Sequence, residues 1–417
     1  MQQRKRRKRE PAAAAAQQFV NDGSFLASIM QLSAAAAASG AAAMATDAAA
    51  AAAAGGGGAQ GGEAPAQPLP FDVSRVVAPM VGGSSLCFRL LCRRHGATLA
   101  CTQMLEADRV VSDEGYRSSM MEPHAEDRPL VAQLCGSNAA TVAAAAALLE
   151  PHVDCVDLNL GCPQERAVQG RYGAFLLSRE HWSTVCDVVR AMRAAVSVPV
   201  SVKIRLLPTI EETLELCRLL QGAGACMLVV HARQRCAPEQ RMRRSGPAQL
   251  EAVRAIKDAL QIPVVSNGNV STRLSAADLL SNLQATRADG LMLGEPLLSS
   301  PALFDLIGGA ALQLGVPEDK AEAATQRRRV ALELVDEFLV LAAAHPPPEL
   351  AGGFDAVRRH VSSLMGREGR GSTLKFRLCP RAMDAKKVRD DLLAAQSTGT
   401  LREVAHRVLL HPLPSER

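Results

Sequence analysis

A cysteine lies within a short polar segment, DLNLGCPQ at residues 157–164. Ordinary thiols have a pKa of about 8.5 and are largely protonated near neutral pH, so Cys162 is a candidate general acid. Lys203 and Arg205 stand two positions apart in an apolar segment, so their side chains leave a strand on the same face. Both cations are candidate ligand contacts, although either one could instead form a salt bridge. A lone histidine such as His231 is more often structural than a ligand contact.

The elements that must position these residues are short β-rich segments, which alternate with longer helical ones down to about residue 315. The sequence predicts eight strands, at residues 76–78, 98–101, 130–134, 155–159, 200–204, 227–231, 264–266 and 291–293. Several are continuous apolar runs, as in parallel strands that are buried on both faces. Eight strands alternating with helices over a span of about 250 residues are typical of a (β/α)8 TIM barrel. An open doubly wound sheet is less favoured, because PMVGG at residues 79–83 lacks the GxGxxG of a dinucleotide-binding opening.

The active site of a TIM barrel gathers at the carboxyl ends of its strands. Polar residues and glycines stand at these ends in this sequence. They are Pro79, Met80, Gln133, Asn159, Lys203, Arg205, His231, Asn267, Gly268 and Gly294. The barrel therefore predicts that residues far apart in the chain converge on one mouth.

Three regions are predicted along the chain: a disordered extension at residues 1–69, the barrel at 70–315 and a C-terminal all-helical domain at 316–417. The extension is rich in alanine and glycine and cannot build a packed core. In the helical domain, residues 327–341 predict an amphipathic helix. This domain carries a basic group consisting of Arg358, Arg359, Arg367, Arg370, Lys375, Arg377, Arg381, Lys386 and Lys387. It is either a phosphate-contacting surface or an ordinary solvated helix face.

The net charge of +5 does not indicate a basic folded body. Residues 4–9 are six cations and Glu10 opposes them; removing these seven from the totals of 47 basic and 42 acidic residues leaves 41 of each. Any RNA binding must therefore use local patches. Eleven cysteines without paired CxxC spacing indicate reduced thiols and no zinc site, so we expect no metal. The sequence contains no strongly apolar run of about 18 residues, so we expect no membrane span.

Several motifs, taken together and in chain order, resemble those of the tRNA-dihydrouridine synthases. The DLNLGCPQ segment and GRYGAFL at residues 170–176 resemble the eukaryotic branch that acts on positions 16 and 17 of the D-loop. Further matching segments are APMV at 78–81, FR at 88–89, DRPL at 127–130, VKIR at 202–205, VHAR at 230–233 and SNGN at 266–269. The matching motifs are closely spaced over residues 74–305, whereas the tail resembles that of the family only in being helical.

The resemblance implies an enzyme that binds FMN and reduces uridines in tRNA. It implies that Cys162 is the catalytic acid and that Asn159, Arg205 and Arg233 contact the substrate. The implied cofactor-binding residues are Ala78, Pro79, Met80, Gln133, Lys203, His231, Asn267, Gly268, Asn269, Gly294 and Glu295. Hydride from reduced FMN would reach C6 of uracil and a proton from Cys162 would reach C5, with NADPH or NADH reducing the flavin again. Glu295 is a departure, since many members place an arginine there.

The target base cannot meet a flavin while it is stacked in RNA, so it must be splayed out of a loop. Aromatic residues make up only 3% of the chain, so phosphate contacts and shape should dominate RNA binding. Candidate contacts are Arg233, Arg235, Arg241, Arg243, Arg244 and the basic group of the tail. Two alternatives remain: an FMN enzyme acting on a free pyrimidine, and a tRNA-binding barrel without catalysis. We expect a monomer in the cytoplasm or nucleus; the basic tip is also compatible with an organellar transit peptide.

Overall fold

A computed structural model describes residues 68–234, 247–268, 276–305, 320–368, 375–380 and 383–411. Within it, Leu69–Arg417 form one compact unit. The predicted disordered extension lies almost wholly outside the described residues, and so does the predicted domain boundary at residue 315. Both stay predictions.

Nine parallel strands within the described part of the chain form a closed barrel. Their bounds are β1 Arg75–Val77, β2 Leu99–Cys101, β3 Leu105–Glu106, β4 Leu130–Cys135, β5 Cys155–Leu160, β6 Val200–Leu206, β7 Met227–Gln234, β8 Val264–Asn267 and β9 Gly290–Leu293. Strands β4 to β9 pair in chain order, β1 pairs with β9 and β2, and β2 pairs with β4. β2 and β3 lie along the same edge of β4, so the barrel has eight positions. The predicted TIM barrel is confirmed, and all eight predicted strands end within three residues of the observed ends.

Helices follow most strands and cover the outside of the barrel. Their bounds are α1 Leu86–Arg94, α2 Ala107–Ser112, α3 Glu114–Met120, α4 Ala139–Leu149, α5 Glu165–Gln169, α6 Trp182–Ala195, α7 Ile210–Gly222, α8 Leu250–Ala259, α9 Ala276–Thr286 and α10 Glu295–Ser299. Side-chain caps start some of them: the Thr209 hydroxyl accepts a hydrogen bond from the backbone N–H of Glu212 at the start of α7. The apolar faces of α4, α6, α7 and α8 pack against the strands in one core.

Alternation along β4 to β8 divides the side chains between the helices and the barrel interior. Even-numbered residues such as Leu158, Val202 and Val230 pack under the helices. The apolar interior is formed by odd-numbered residues, including Val131, Cys155, Met227, Val229 and Val265. Nearer the carboxyl ends, the odd-numbered positions become polar: Gln133, Asp157, Asn159, Ser201, Lys203, His231 and Asn267. The barrel thus has an apolar floor beneath a polar mouth.

The C-terminal region is helical and packs on the barrel. It contains α11 Lys320–Ala344, α12 Gly353–Leu364, α13 Ala385–Ala394 and α14 Thr398–Leu409, together with a short antiparallel pair, β10 Arg367–Glu368 and β11 Lys375–Phe376. α11 includes the predicted helix at 327–341 and extends beyond both of its ends. Phe88 of α1 and Phe338 of α11 belong to one buried cluster, and both rings lie close to His360 of α12. A shared core therefore joins this region to the barrel.

Among the helices that the structure describes, none combines the length and apolar composition that a membrane crossing requires.

Candidate active site

A chain of buried polar side chains runs from the barrel interior toward the mouth. Asp157 accepts hydrogen bonds from the Ser201 hydroxyl at 2.7 Å and from Gln133 Nε2 at 2.8 Å. Gln133 Oε1 accepts one from Asn159 Nδ2 at 2.7 Å. Burial raises the pKa of Asp157 to about 6, against the opposing effect of these hydrogen bonds and of Lys203. The carboxyl group is therefore ionised at neutral pH.

The loop that carries Cys162 is attached to this chain through Asn159. Asn159 Oδ1 accepts the backbone N–H of Gly161 at 2.9 Å and that of Cys162 at 3.0 Å. The carbonyl of Cys162 accepts a hydrogen bond from the backbone N–H of Ala174 at 2.9 Å. Gly173, at φ +65°, lies so close that an added Cβ would stand 2.8 Å from that carbonyl oxygen. The backbone on both sides of Cys162 is thus held.

The Cys162 side chain is half-buried beside a small apolar cluster. This cluster contains Met104, Cys135, Ala167 and Tyr172. Burial raises the pKa of the Cys135 thiol, and it raises the pKa of Tyr172 to about 12. Both neighbours therefore keep their protons at neutral pH, and the more accessible Cys162 is the candidate proton donor.

Lys203 and Asn267 form the cationic side of the mouth. Lys203 Nζ donates to Asn267 Oδ1 at 3.0 Å, and Asn267 Nδ2 donates to the carbonyl of Met292 at 2.8 Å. Burial and the nearby Arg205 lower the pKa of Lys203 to about 8. Lys203 accordingly keeps its charge at neutral pH, next to any anionic group that enters the mouth.

Arg205 and His231 complete the polar rim. Arg205 Nε donates to the carbonyl of Gly161 at 2.8 Å, which ties β6 to the Cys162 loop. His231 Nε2 lies 3.2 Å from a guanidinium nitrogen of Arg233. Burial, followed by the charges of Lys203 and Arg205, lowers the pKa of His231 to about 2. His231 is therefore a neutral ring that presents an acceptor to Arg233.

Ala78 and Gly294 are small residues that follow the paired strands β1 and β9 at the barrel mouth. A Cβ added to Gly294 would stand 3.4 Å from Ala78 Cβ and 3.5 Å from Met80 Sδ, which are ordinary van der Waals distances. Gly268, at φ +124°, brings the backbone after β8 close to His231. The Lys203 cation at this mouth fits the anionic edge of a flavin ring. Gln133 is 1% exposed and uses both ends of its amide within the protein, and Asn267 also has both ends of its amide bonded. The cofactor roles predicted for Gln133, Asn267, Gly268 and Gly294 stay predictions.

Three further residues were predicted to bind the cofactor: Pro79, Asn269 and Glu295. Pro79 is half-buried in the loop after β1, and Glu295 is exposed at the first position of α10. Asn269 lies outside the described residues, as do the predicted RNA contacts Arg235, Arg241, Arg243 and Arg244. Their predicted roles stay predictions.

The basic group predicted in the tail is divided by the structure. Arg367, Lys375, Arg377, Lys386 and Lys387 are exposed, whereas Arg370 and Arg381 lie outside the described residues. Arg358 turns inward and donates to the carbonyl of Ala395 at 2.6 Å. Arg359 lies against the loop after β1, 3.1 Å from the position that a Cβ on Gly82 would occupy. The tail thus reaches the barrel mouth as well as solvent.

Sequence reasoning assigned no role to Asp157 or Ser201. Asp157 is the first residue of the DLNLGCPQ segment, and Ser201 lies between two valines near the start of β6. Strand alternation could have identified them. Asp157 lies two positions before Asn159, and Ser201 lies two positions before Lys203, so each pair shares the face that points to the interior. Gln103 was also missed; its side-chain oxygen accepts the backbone N–H of Gly82 at 2.6 Å and holds the loop after β1.

Comparisons with known proteins show which family the chain resembles. The Dihydrouridine synthase (Dus) family matches residues 76–365. A Rattus norvegicus protein named tRNA-dihydrouridine(16/17) synthase (NAD(P)(+))-like is 37% identical over 291 residues, covering 69% of this chain and 59% of that protein. The tRNA-dihydrouridine(16/17) synthase (NAD(P)(+)) of Saccharomyces cerevisiae is 38% identical over 238 residues, covering 56% of this chain and 54% of that protein.

A relative with a different printed position is also similar. The Mus musculus tRNA-dihydrouridine(20a/20b) synthase (NAD(P)+)-like protein is 34% identical over 233 residues, covering 55% of this chain and 68% of that protein. The chain spans 59% and 54% of the length of the rat and yeast 16/17 relatives. The family match itself extends over more than two thirds of the chain and includes the whole described barrel mouth. The chain therefore belongs to the dihydrouridine synthase family.

Proposed function

We propose that this protein reduces specific uridines of tRNA to dihydrouridine with FMN as cofactor, at positions 16 and 17 of the D-loop. The observation that carries the proposal is the placement of Cys162. Its backbone is held by Asn159 and by Ala174 at the mouth of a barrel that also presents Lys203. The names of the rat and yeast relatives support the uridine substrate, and the higher identity to 16/17 proteins favours those positions over 20a/20b.

Bound reduced FMN supplies the hydride that C6 of uracil accepts. The role of Cys162 is to deliver a proton from Sγ to C5, because charge that builds up there must be neutralised. Lys203 retains its proton at neutral pH and stabilises negative charge at the edge of the cofactor. NADPH or NADH is the electron donor, in line with the names of the relatives.

Asn159 is the proposed uracil-binding residue, and its hydrogen bonds define how it would bind. Its oxygen is occupied by two backbone N–H groups. Its amino group donates once to Gln133 and once to the thioether of Met104, at 3.3 Å. A thioether is a weak acceptor. A uracil carbonyl would therefore displace Met104 and leave the rest of the chain intact.

Arg205 and Arg233 are proposed substrate contacts on the rim. Both are half-buried; Arg205 donates to the carbonyl of Gly161, and Arg233 lies beside His231. The exposed cations of the tail, Lys386 and Lys387 among them, would add phosphate contacts on the same protein. A base splayed from a loop and stacked on the cofactor needs few protein aromatics, which agrees with the 3% aromatic content.

Replacing the proposed acid tests the function directly. The purified protein, Cys162→Ala and Cys379→Ala are assayed for retained flavin and for dihydrouridine formation in unmodified tRNA with NADPH or NADH. Cys379 is a half-buried thiol of the helical region and serves as the matched control. We expect Cys162→Ala to keep its flavin and lose at least about 100-fold in rate, the usual size of a general-acid contribution. Cys379→Ala should match the wild type.

The same assay distinguishes the alternatives. Mapping the modified nucleotides by mass spectrometry tests the assignment to positions 16 and 17. Consumption of free uracil or dihydroorotate without any product in tRNA would contradict the proposal in favour of a free-pyrimidine enzyme. A protein that binds tRNA but retains no flavin would instead be a tRNA-binding barrel without catalysis.

A further inference from the structure

We infer that Asp157 is a positioning residue that anchors the chain of amides holding the Cys162 loop. Four buried side chains connect β6, β5 and β4 in the order Ser201, Asp157, Gln133, Asn159. Asn159 then binds the backbone of the loop itself. The inference that this chain assists proton transfer rests on the function proposed above, whereas the anchoring is a property of the protein alone.

The direction of every hydrogen bond in the chain is determined by its two ends. At one end the ionised carboxylate of Asp157 only accepts, so Gln133 must present its amino group to it. Gln133 then turns its oxygen to Asn159, which must present its own amino group there. At the other end, the backbone N–H groups of Gly161 and Cys162 only donate, which requires the oxygen of Asn159. The hydrogen bonds at the Asp157 end and at the loop end therefore require the same orientation of the Gln133 and Asn159 side-chain amides.

Burial leaves these side chains no solvent to replace a lost partner. Ser201 is 0% exposed, Gln133 is 1%, Asp157 is 3% and Asn159 is 8%. If the carboxylate were absent, Gln133 Nε2 would have to find another acceptor in the interior by rotating. That rotation would carry its oxygen away from Asn159 and release the amide that holds the loop.

A purely structural role for Asp157 predicts a different outcome. A carboxylate that only stabilised the fold would, when removed, leave the buried donors of Ser201 and Gln133 unpaired and lower the stability of the whole barrel, with no particular loss of protection at residues 160–164. The charged and titratable groups that face Asp157 are Lys203 on β6, Cys101 on β2 and Cys155 on its own strand. None of these three groups takes part in the hydrogen bonds that run from Gln133 through Asn159 to the loop. A change in their ionisation would therefore not release the loop.

The test is hydrogen–deuterium exchange of the purified full chain, followed on peptides that contain residues 160–164, with thermal unfolding of the same samples. We expect Asp157→Leu to lower the protection of the Gly161 and Cys162 amides by about 3- to 10-fold, the equivalent of one hydrogen bond. The melting temperature should fall, because the Ser201 hydroxyl and Gln133 Nε2 lose their buried acceptor, but the loss of protection should be larger at residues 160–164 than elsewhere. Asp157→Asn should keep most of the protection, because its side-chain oxygen still accepts from Gln133.

Two further variants isolate the chain from the rest of the site. Ser201→Ala removes one donor to Asp157 but leaves the link to Gln133, so protection at 160–164 should be unchanged. Gln133→Met cuts the link while the carboxylate stays, so protection should fall as in Asp157→Leu; it also serves if Asp157→Leu does not fold. Unchanged protection in Gln133→Met, or a loss spread evenly over the whole protein, would overturn the anchoring role.

Turnover on tRNA provides the separate functional readout. With the proposed function correct, Asp157→Leu should lower kcat by about 10- to 100-fold through misplacement of Cys162 and of the proposed uracil contact Asn159. A wild-type protein that reduces no tRNA would refute the proposed function, but the exchange result would still decide the anchoring role. Lowered loop protection with an unchanged kcat would refute the catalytic part of the inference.

Discussion

The chemistry of single residues at the mouth depends on burial as much as on residue type. Lys203, Asp157 and His231 all have pKa values displaced by burial, yet two of them are charged at neutral pH and one is not. His231 is neutral because burial lowers its pKa, and the neighbouring cations lower it further. The mouth therefore combines one lysine cation, one buried carboxylate and a neutral imidazole.

A pH dependence follows from Lys203. Its pKa of about 8 means that the cation is present below pH 8 and is lost as pH rises through that value. We expect the Kd for FMN to increase by about tenfold between pH 7 and pH 9.5, the equivalent of one charge-assisted hydrogen bond. Titration of the apoprotein with FMN by fluorescence measures this change.

Two variants check that Lys203 is responsible. Lys203→Arg keeps a cation over the whole range, so its Kd for FMN should not vary with pH, although its value can differ because the guanidinium has another shape. Cys162→Ala should retain the wild-type pH dependence. An identical rise of the Kd in Lys203→Arg would assign the dependence to another group.

At the scale of elements, the Cys162 loop is held by contacts between its own two ends. It leaves β5, passes the short α5 and returns at Gly173 to lie against its own beginning. The left-handed backbone at Gly173 and the close approach to Cys162 require glycine for two independent reasons. The loop is thus closed by backbone contacts as well as by Asn159.

Gly173→Ala is expected to open this closure. Its Cβ would meet the Cys162 backbone and the residue would be held at a positive φ, at a cost of about 1–3 kcal/mol in the free energy of unfolding. Gly222→Ala is the matched control at the end of α7, where an added Cβ meets nothing within 4 Å and stability should hold or rise by about 0.5–1 kcal/mol. Urea unfolding of both variants measures the difference, and equal stabilities would contradict the proposed closure.

At the scale of the whole molecule, the shared core predicts that the barrel and the helical region unfold as one body. Phe338 of α11 is 0% exposed and packs in the same cluster as α1 of the barrel. The single tryptophan, Trp182, is buried in the barrel on α6 and reports on the barrel alone. Circular dichroism reports on the helices of both parts.

Phe338→Ala is expected to lower the free energy of unfolding by about 3–5 kcal/mol and to shift both signals together. Val340, on the same helix, is 57% exposed, so Val340→Ala should change stability by no more than about 0.5 kcal/mol. The measurement is chemical unfolding followed by Trp182 fluorescence and by circular dichroism. A Trp182 midpoint that stays at its wild-type value while the helical signal shifts would show two independent domains.

The amino-acid sequence by itself determined the barrel and the region of its mouth. Apolar runs such as residues 200–204 are long enough to identify buried parallel strands, and strand order follows from the alternation with helices. The two-residue β3 was not predictable, because a segment that short has no periodicity and exists only through its pairing with β4. Cys162, Lys203 and Asn267 were predicted to lie at the mouth because polar residues at strand ends stand out against apolar strands.

Only the tertiary structure decided which of these residues act on one another. The link from Asp157 through Gln133 to Asn159 joins three side chains from two strands, and its direction depends on donors and acceptors that meet only after the barrel closes. Arg358 belongs to the basic group predicted in the tail, yet in the structure its guanidinium donates to the carbonyl of Ala395. Residue type and spacing specify what a side chain can donate or accept, whereas packing decides which partner is within reach and whether water can replace it.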